Sequence, residues 1–408
     1  MRSLFIIAFV FLQISSQAQN IFSTGEPLKI DVEKLLNAKL KITSNDPTAN
    51  SVYQALIKKA DEVLKLKPRS VMDKTDIPPS GSKHDYVSLA PYWWPDPAQP
   101  KGLPYIKKDG LINPEVKNFP DKEHMPKLCE QVYLLGLAYY FSGNENYAQK
   151  ATELLSVWFI DTATRMNPNL NFAQMVKGIN NGRGTGIIDT RHFNFAIDGI
   201  HLIESSKYWT KDKSQATKKW FTEFLYWLDN SPNGVEEKLT KNNHGVWYDA
   251  QCLGIALYVD NKKMAHDIVK RAFVRLDEQS NSDHLFPLEM ERTNSLHYST
   301  FNLVAFSVVA QLAEKIGINF WETETEHHHS LRKAYYALLP YLKKEKEWTL
   351  QEITPFNIQD GNVVLYYAYK KLNCKDCLDV IKKNAGENYS YTTFIIKNII
   401  YDQFWSSK

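Results

Sequence analysis

The chain is predicted to be all-α, an (α/α) toroid of helical hairpins with a long ordered loop over its cleft. Apolar residues recur at three- and four-residue spacing through most of the sequence. The helical stretches come in pairs separated by short turns, with a period of roughly 50 to 65 residues, the mark of stacked hairpins. No run of alternating residues with hairpin turns marks a sheet. An open solenoid of tetratricopeptide type is the rival, but its repeat of about 34 residues is shorter and more regular. Long connections between hairpins favour the toroid, because such loops build a cleft.

The hairpins follow in order. In "MPKLCEQVYLLGLAYYFSGNENYAQKATELLSVWFID" a helix runs from Met125 to Phe141, breaks at Ser142-Gly143-Asn144, and a second starts near Tyr147. "FNFAIDGIHLIESSKYWTKDKSQATKKWFTEFLYWLD" turns at 209–213. "DAQCLGIALYVDNKKMAHDIVKRAFVRL" breaks at Asp260-Asn261, "FNLVAFSVVAQLAEKIGINFWE" at Gly317, and "NVVLYYAYKKLNCKDCLDVIKK" near Asn373. Residues 68–124 stand apart, rich in proline and poor in helical period. Tyr86, Tyr92, Trp93, Trp94 and Tyr105 argue against disorder there, so the segment reads as an ordered wall or lid of a groove.

Residues 1–18 read as a secretory signal: Arg2 supplies the positive start, Leu4 to Leu12 an apolar run too short to span a bilayer, and Ser16-Gln17-Ala18 the small residues of a cleavage site. The rest, 19–408, is then one catalytic domain, soluble, periplasmic or secreted, with no membrane insertion. At 43% hydrophobic and 23% charged, the 408 residues can bury a large core. A net charge of +3 suits a polyanionic ligand, and the absence of any basic block argues against nucleic acid. The 22 tyrosines and 10 tryptophans suit a sugar cleft as well as a core. Cys129 and Cys252 fall in apolar helical patterns; Cys374 and Cys377 form a C-x-x-C without further ligands nearby, read as a local disulfide or two surface thiols rather than zinc. The run Glu326 to His329, "EHHH", cannot turn every imidazole to one ion and reads as solvated surface.

Two polar clusters sit where inner helices should begin. "KNNHGVWYD" (241–249) carries Asn242, Asn243 and His244; "PLEMERTNSLHYSTFNL" (287–303) carries Glu289, Glu291, Arg292, Asn294, His297 and Tyr298. In a toroid such helix starts gather at one end. Each residue has a plainer reading: His244 and Asn243 as a helix start, Tyr298 as a core tyrosine, Arg292 as the partner of a neighbouring glutamate. Together, amide, imidazole, guanidinium and phenol fit β-elimination from a uronic acid. Donors neutralise the carboxylate so that C5 can lose its proton, and a base and an acid move protons at C5 and O4. Hydrolysis would want a carboxylate pair, and none stands out. Tyr298 would serve once a neighbour such as Arg292 lowers its pKa. In "GIIDTRHFNF", Arg191 is a candidate for a substrate carboxylate, against a structural contact with Asp189.

"NNHGVW" and "ERTNSLHYSTFNL", with "SLAPYWWPDP" and "GIIDTRHF", resemble the alginate lyase superfamily of polysaccharide lyases, family thirty-eight most closely and family five more distantly. The resemblance spans about Tyr86 to about Phe306. It implies an α/α toroid and metal-independent, cofactor-free β-elimination of a polyuronate. Asn243 and His244 match the groups around the substrate carboxylate, Arg292 the arginine and Tyr298 the catalytic tyrosine. Arg191, His192, Trp93, Trp94, Asn242, His297 and Tyr92 are the expected substrate contacts. Family five commonly has Ser-Tyr after the histidine, where Gly245 and Val246 stand here. The expected enzyme is a monomeric endolytic lyase of mannuronate-rich alginate with Tyr298 as both base and acid. His244 would be the base where C5–H and O4 lie on opposite sides. A glucuronan lyase and a non-catalytic glycan-binding repeat protein are the alternatives.

Overall fold

The computed structural model describes residues 27–385; the expected signal segment lies outside them. The helices are α1 (Val32–Thr43), α2 (Pro47–Leu64), α3 (Asp121–Ser142), α4 (Glu145–Leu155), α5 (Phe193–Ile203), α6 (Lys211–Asn230), α7 (Pro232–Lys238), α8 (Asn243–Tyr258), α9 (Lys262–Gln279), α10 (Pro287–Met290), α11 (Ser295–Glu314), α12 (Leu331–Leu342), α13 (Ile358–Leu372) and α14 (Cys377–Ala385). The chain is an α/α toroid. Helices α3, α5, α8, α11 and α13 each pack on the next and form the inner wall, with α4, α9, α12 and α14 outside them.

Sequence explains which helices go inside. Every residue of α8 except His244 and Leu257 is buried, as an all-round apolar pattern demands. On α9 burial follows one stripe: Ala265, Ile268, Val269, Ala272, Leu276. Helices α3 and α5 meet through facing glycines. A Cβ on Gly136 would lie 2.9 Å from the Gly199 carbonyl oxygen, and one on Gly199 would lie 2.8 Å from the Val132 backbone. The buried Asp249 of α8 holds α9 through two ion pairs, to the partly exposed Arg271 and the buried Arg275, each at 2.6 Å.

The turns fall where the sequence breaks, at left-handed Gly143, Asp260, Gly317 and Asn373. Three boundaries differ from expectation. Helix α3 begins at Asp121, not Met125, because Pro126 is accommodated inside it. The turn before α6 spans 204–210, with the Thr210 hydroxyl capping α6 through the Lys213 amide. The helix after Gly317 is delayed to Leu331.

The proline-rich excursion is ordered by short pairings that the sequence reading missed. Strand β1 (Val87–Leu89) runs parallel to β4 (Phe172–Met175), and β2 (Trp93–Trp94) antiparallel to β3 (Ile106–Lys107). The N-terminal segment is fastened to the inner wall, since the Asp198 carboxylate of α5 accepts from the Leu28 amide at 2.6 Å and the Lys29 amide at 3.2 Å.

Cys129 and Cys252 are buried thiols, and Cys374 and Cys377 are joined as a disulfide. His327 and His328 are exposed, pairing with Asp277 and Glu324. His329 departs from the solvated reading: it is buried, its Nδ1 2.8 Å from His284 Nδ1. No helix among the described residues is long and apolar enough to cross a membrane.

Candidate active site

A cleft of ≈ 1410 Å³ opens where the starts of α8 and α11 meet the excursion. Lysines and arginines outnumber aspartates and glutamates along its lining. One face of α11 forms a wall through His297, Phe301, Val304, Val308 and Gln311, the three- and four-residue spacing of a helical stripe. Asn242, Asn243, His244, Arg292, His297, Tyr298, Tyr92, Trp93, Arg191 and His192 all line it. Trp94 does not. Successive strand residues point to opposite faces, and its indole donates instead to the Leu111 carbonyl at 2.9 Å, under Lys108.

His244 sits in the first turn of α8, whose N-cap is Asn242: the Asn242 side chain accepts from the His244 amide at 3.1 Å. His244 Nδ1 lies 2.7 Å from Oε1 of Glu237, a fully buried residue of α7. With Glu237 as carboxylate, Nδ1–H donates to it and Nε2 keeps its lone pair, an orientation suited to a base. The next residue has to be glycine. A Cβ on Gly245 would meet Arg275 Nη1 and the Thr240 carbonyl oxygen, both at 2.3 Å. Arg275 fills the space that a serine would need, which accounts for the departure from the family-five pattern.

Asn243 departs from its expected role. Its backbone N–H donates to Glu289 Oε1 at 2.5 Å, and its side-chain nitrogen donates to both Glu289 oxygens, at 3.0 and 2.8 Å. Both amide donors are therefore committed to a buried carboxylate, and Oδ1 is buried without a partner among the described residues. Burial pushes the Glu289 pKa up, against the opposing donors from Asn243.

At the start of α11, the Tyr298 and Tyr92 hydroxyls share a hydrogen bond of 2.7 Å. The Arg292 guanidinium lies over the Tyr298 ring, 3.6 Å from its centroid. The plainer reading of Arg292, an ion pair with its neighbouring glutamates, fails: it forms a bidentate pair with Asp109 of the excursion, at 3.0 and 2.8 Å. Burial opposes the Asp109 charge, but the Arg292 hydrogen bonds and charge, with Lys107 and Thr293, outweigh it and hold the carboxyl below its usual range. The expected lowering of the Tyr298 pKa does not occur. Burial raises it well above the ordinary phenol value, the Tyr92 hydroxyl adds to the rise, and Arg292 only partly offsets them. His297 pairs with Asp360 at 3.0 Å at the cleft rim.

Across the cleft, Arg191 donates to the Ile188 carbonyl at 3.1 Å and lies near the rings of Phe301 and Trp247, 5.6 and 6.0 Å from their centroids. It forms no ion pair with Asp189. That carboxylate accepts from Ser88, Tyr86 and Gln174 and faces Lys122 at 3.5 Å. The Arg191 guanidinium thus has no carboxylate partner among the described residues, and burial lowers its pKa. Arg183 lies likewise in the cleft near Trp93, bonded to Gln174 at 2.8 Å. Sequence reading missed Arg183, Glu237, Glu289 as an anchor, and Asp109; Glu289 and Asp109 act through residues distant in sequence, Glu237 and Arg183 through nearer ones across a turn, and no local motif marks any of them.

The chain matches the model of the alginate lyase family over residues 70–348. No curated protein matches it. Among solved structures it is similar to an alginate lyase from Bacteroides ovatus, at 37% identity and a TM-score of 0.83, covering 88% of this chain and 95% of that one. It shares the fold of alginate lyase A1-III. A variant bound to a tetrasaccharide has 16% identity and a TM-score of 0.58, over 87% of this chain and 90% of that one. The enzyme from Sphingomonas species A1 has 16% identity and a TM-score of 0.55, over 84% and 88%. On the family match, and on the likeness to the Bacteroides enzyme across nearly its whole length, this chain belongs to the alginate lyase family and is a polysaccharide lyase.

Proposed function

We propose that the chain cleaves alginate by metal-independent β-elimination, leaving a 4,5-unsaturated uronate end. The observation that carries this reading is a pair of groups lining one cleft. A histidine is oriented by a buried carboxylate, and a buried phenol is kept protonated at neutral pH. Arg191, free of carboxylate partners among the described residues, takes the substrate carboxylate and stabilises the charge that develops as the C5 proton leaves. Asn243 fixes the start of α8 through Glu289 and so supports the substrate-facing groups from beneath. Trp93 and Tyr92 form the wall on the excursion side, and Asn242, His192 and His297 complete the lining.

The division of labour follows from the protonation states. His244 Nε2 removes the C5 proton and Tyr298 gives its proton to O4, the arrangement for bonds in which the two lie on opposite sides, as in guluronate. The mannuronate-rich preference with Tyr298 in both roles, the first expectation from the sequence, becomes the second reading. Arg292 against the Tyr298 ring favours it, stabilising a phenolate once Tyr298 has lost its proton. Export to the periplasm or beyond, as a monomer, completes the proposal.

The test is ultraviolet absorbance during incubation with polyguluronate, polymannuronate and glucuronan, with a chelator present. Elimination creates a double bond conjugated with the carboxylate; hydrolysis does not. Rising absorbance on polyguluronate that is lost in His244→Ala supports the two-residue mechanism. Rising absorbance on polymannuronate that survives His244→Ala favours Tyr298 alone. Elimination of glucuronan only, or of none of the three by folded protein, would overturn the alginate reading.

A further inference from the structure

Lys29 lies outside the region that matches the family, on the N-terminal segment, yet it lines the same cleft. Asp198 holds its backbone amide, which fixes the point from which the side chain enters. The ammonium nitrogen sits 3.3 Å from the centroid of the Phe195 ring. The ring of His192 stacks near the same phenylalanine, with centroids 6.4 Å apart. Arg191 precedes His192 and reaches Phe301, whose ring stacks on His297 beside Tyr298. A path of basic groups therefore runs from the reaction centre to Lys29.

We propose that Lys29, with His192, forms a subsite that holds the carboxylate of a uronate unit next along the chain from the reacting one, whose own carboxylate Arg191 takes. This rests on the reading of the protein as a polyuronate lyase. Lys29 makes no ion pair with a carboxylate among the described residues, although a buried ammonium needs one. The groups facing it do not supply one. Asp198 attracts the ammonium without forming an ion pair: one oxygen accepts from the two backbone amides, the other is buried without a hydrogen-bond partner among the described residues, and burial pushes the carboxyl pKa up against the pull of Lys29. The Cys129 thiol is held protonated by its burial. Arg191 adds positive charge, and His192 is kept neutral chiefly by burial, then by Arg191 and Lys29. Burial accordingly pushes the Lys29 pKa down to about 8, against the pull of Asp198 and Cys129. A polyuronate offers the missing counter-charge, and neutral His192 adds a hydrogen-bond donor to it.

The experiment uses the full chain and the variants Lys29→Met and Lys29→Arg, each checked for an unchanged melting temperature. Steady-state kinetics on polyuronate are measured from pH 6 to 9.5. Binding of a short oligouronate is measured by calorimetry in a Tyr298→Phe background, where turnover does not interfere. Lys29→Met should raise KM about tenfold with kcat within about twofold, and Lys29→Arg should restore most of the affinity. With Lys29 present, affinity should fall as pH rises through about 8 and the ammonium is lost; Lys29→Met should lack that limb. Unchanged KM and an unchanged alkaline limb in Lys29→Met would overturn the subsite. Should Lys29→Met fail to fold, a flat affinity profile across pH 8 in the Tyr298→Phe protein would overturn it equally. Oligouronate binding with this pH limb but no unsaturated product from the wild type would sink the lyase reading and leave the subsite standing.

Discussion

The two helix starts that meet in the cleft are anchored in different ways. At the start of α8, His244 and Asn243 are held by Glu237 and Glu289, carboxylates fully buried in the helical body. At the start of α11, Arg292 and Tyr298 are held by Asp109 and Tyr92, partners on the excursion and only partly buried. The first pair of anchors belongs to the packed ring and is as rigid as the core. The second belongs to a loop ordered by a few short pairings and turns. The contrast separates groups that must keep one orientation, such as an imidazole acting as base, from groups whose placement depends on the wall of the cleft.

Breaking this comparison gives a ranked series. Tyr298→Phe removes the proton donor itself and should lower kcat by about 10³–10⁴-fold with little change in substrate affinity, read by steady-state kinetics and calorimetry. Glu237→Gln keeps the size of the anchor but no longer enforces Nδ1–H on His244, and kcat should fall about 100-fold while the fold, followed by circular dichroism, persists. Asp109→Asn breaks a charge-assisted pair that crosses to the excursion. kcat/KM should drop about tenfold, and residues 95–112 should become more susceptible to limited proteolysis. The wild-type pair has a defined pH window. Because the folded Asp109 pKa is depressed, its contribution is present above the ordinary aspartate value and is lost as pH falls through the depressed one.

Tyr92→Phe should have the smallest effect, a loss of a few fold in kcat. Its sign in pH sharpens the comparison. The Tyr92 hydroxyl is among the groups that raise the Tyr298 pKa, so its removal should move the alkaline limb of kcat, where the acid loses its proton, to lower pH. An alkaline limb that stays put or moves up would show that the two hydroxyls do not communicate.

Much of this arrangement was legible in the sequence. The helical hairpins announced themselves by apolar residues at three- and four-residue spacing, and the reading that two helix starts meet followed from hairpin repetition alone; Asn243, His244, Arg292 and Tyr298 line one cleft. Their anchors were not legible. Glu237 is 7 residues from His244, Glu289 is 46 from Asn243, Asp109 is 183 from Arg292, and Tyr92 is 206 from Tyr298. No periodicity connects the last three pairs, and Glu237 reaches His244 only through the turn between α7 and α8; the fold brings each pair into contact. Asp109 sits in "KKDG", which reads as an ordinary turn. Trp93 and Trp94 were indistinguishable until strand pairing assigned them to opposite faces. The ionisation of Tyr298 was misread because a cation beside a phenol is visible in sequence, whereas the burial that outweighs it depends on the whole fold. Gly245 and Arg275 are a further case: the absence of a side chain at one made sense only once the other was seen to occupy the space.

The most direct test of the central claim is a single-turnover measurement of unsaturated product on polyguluronate at saturating enzyme, comparing wild type, Glu237→Gln and Tyr92→Phe. The account predicts that loss of the buried anchor slows the elimination step by about 100-fold, while loss of the excursion hydroxyl slows it only a few fold. Equal rates for wild type and Glu237→Gln, or a larger loss in Tyr92→Phe, would contradict the assignment of His244 as a base held in place by the helical body.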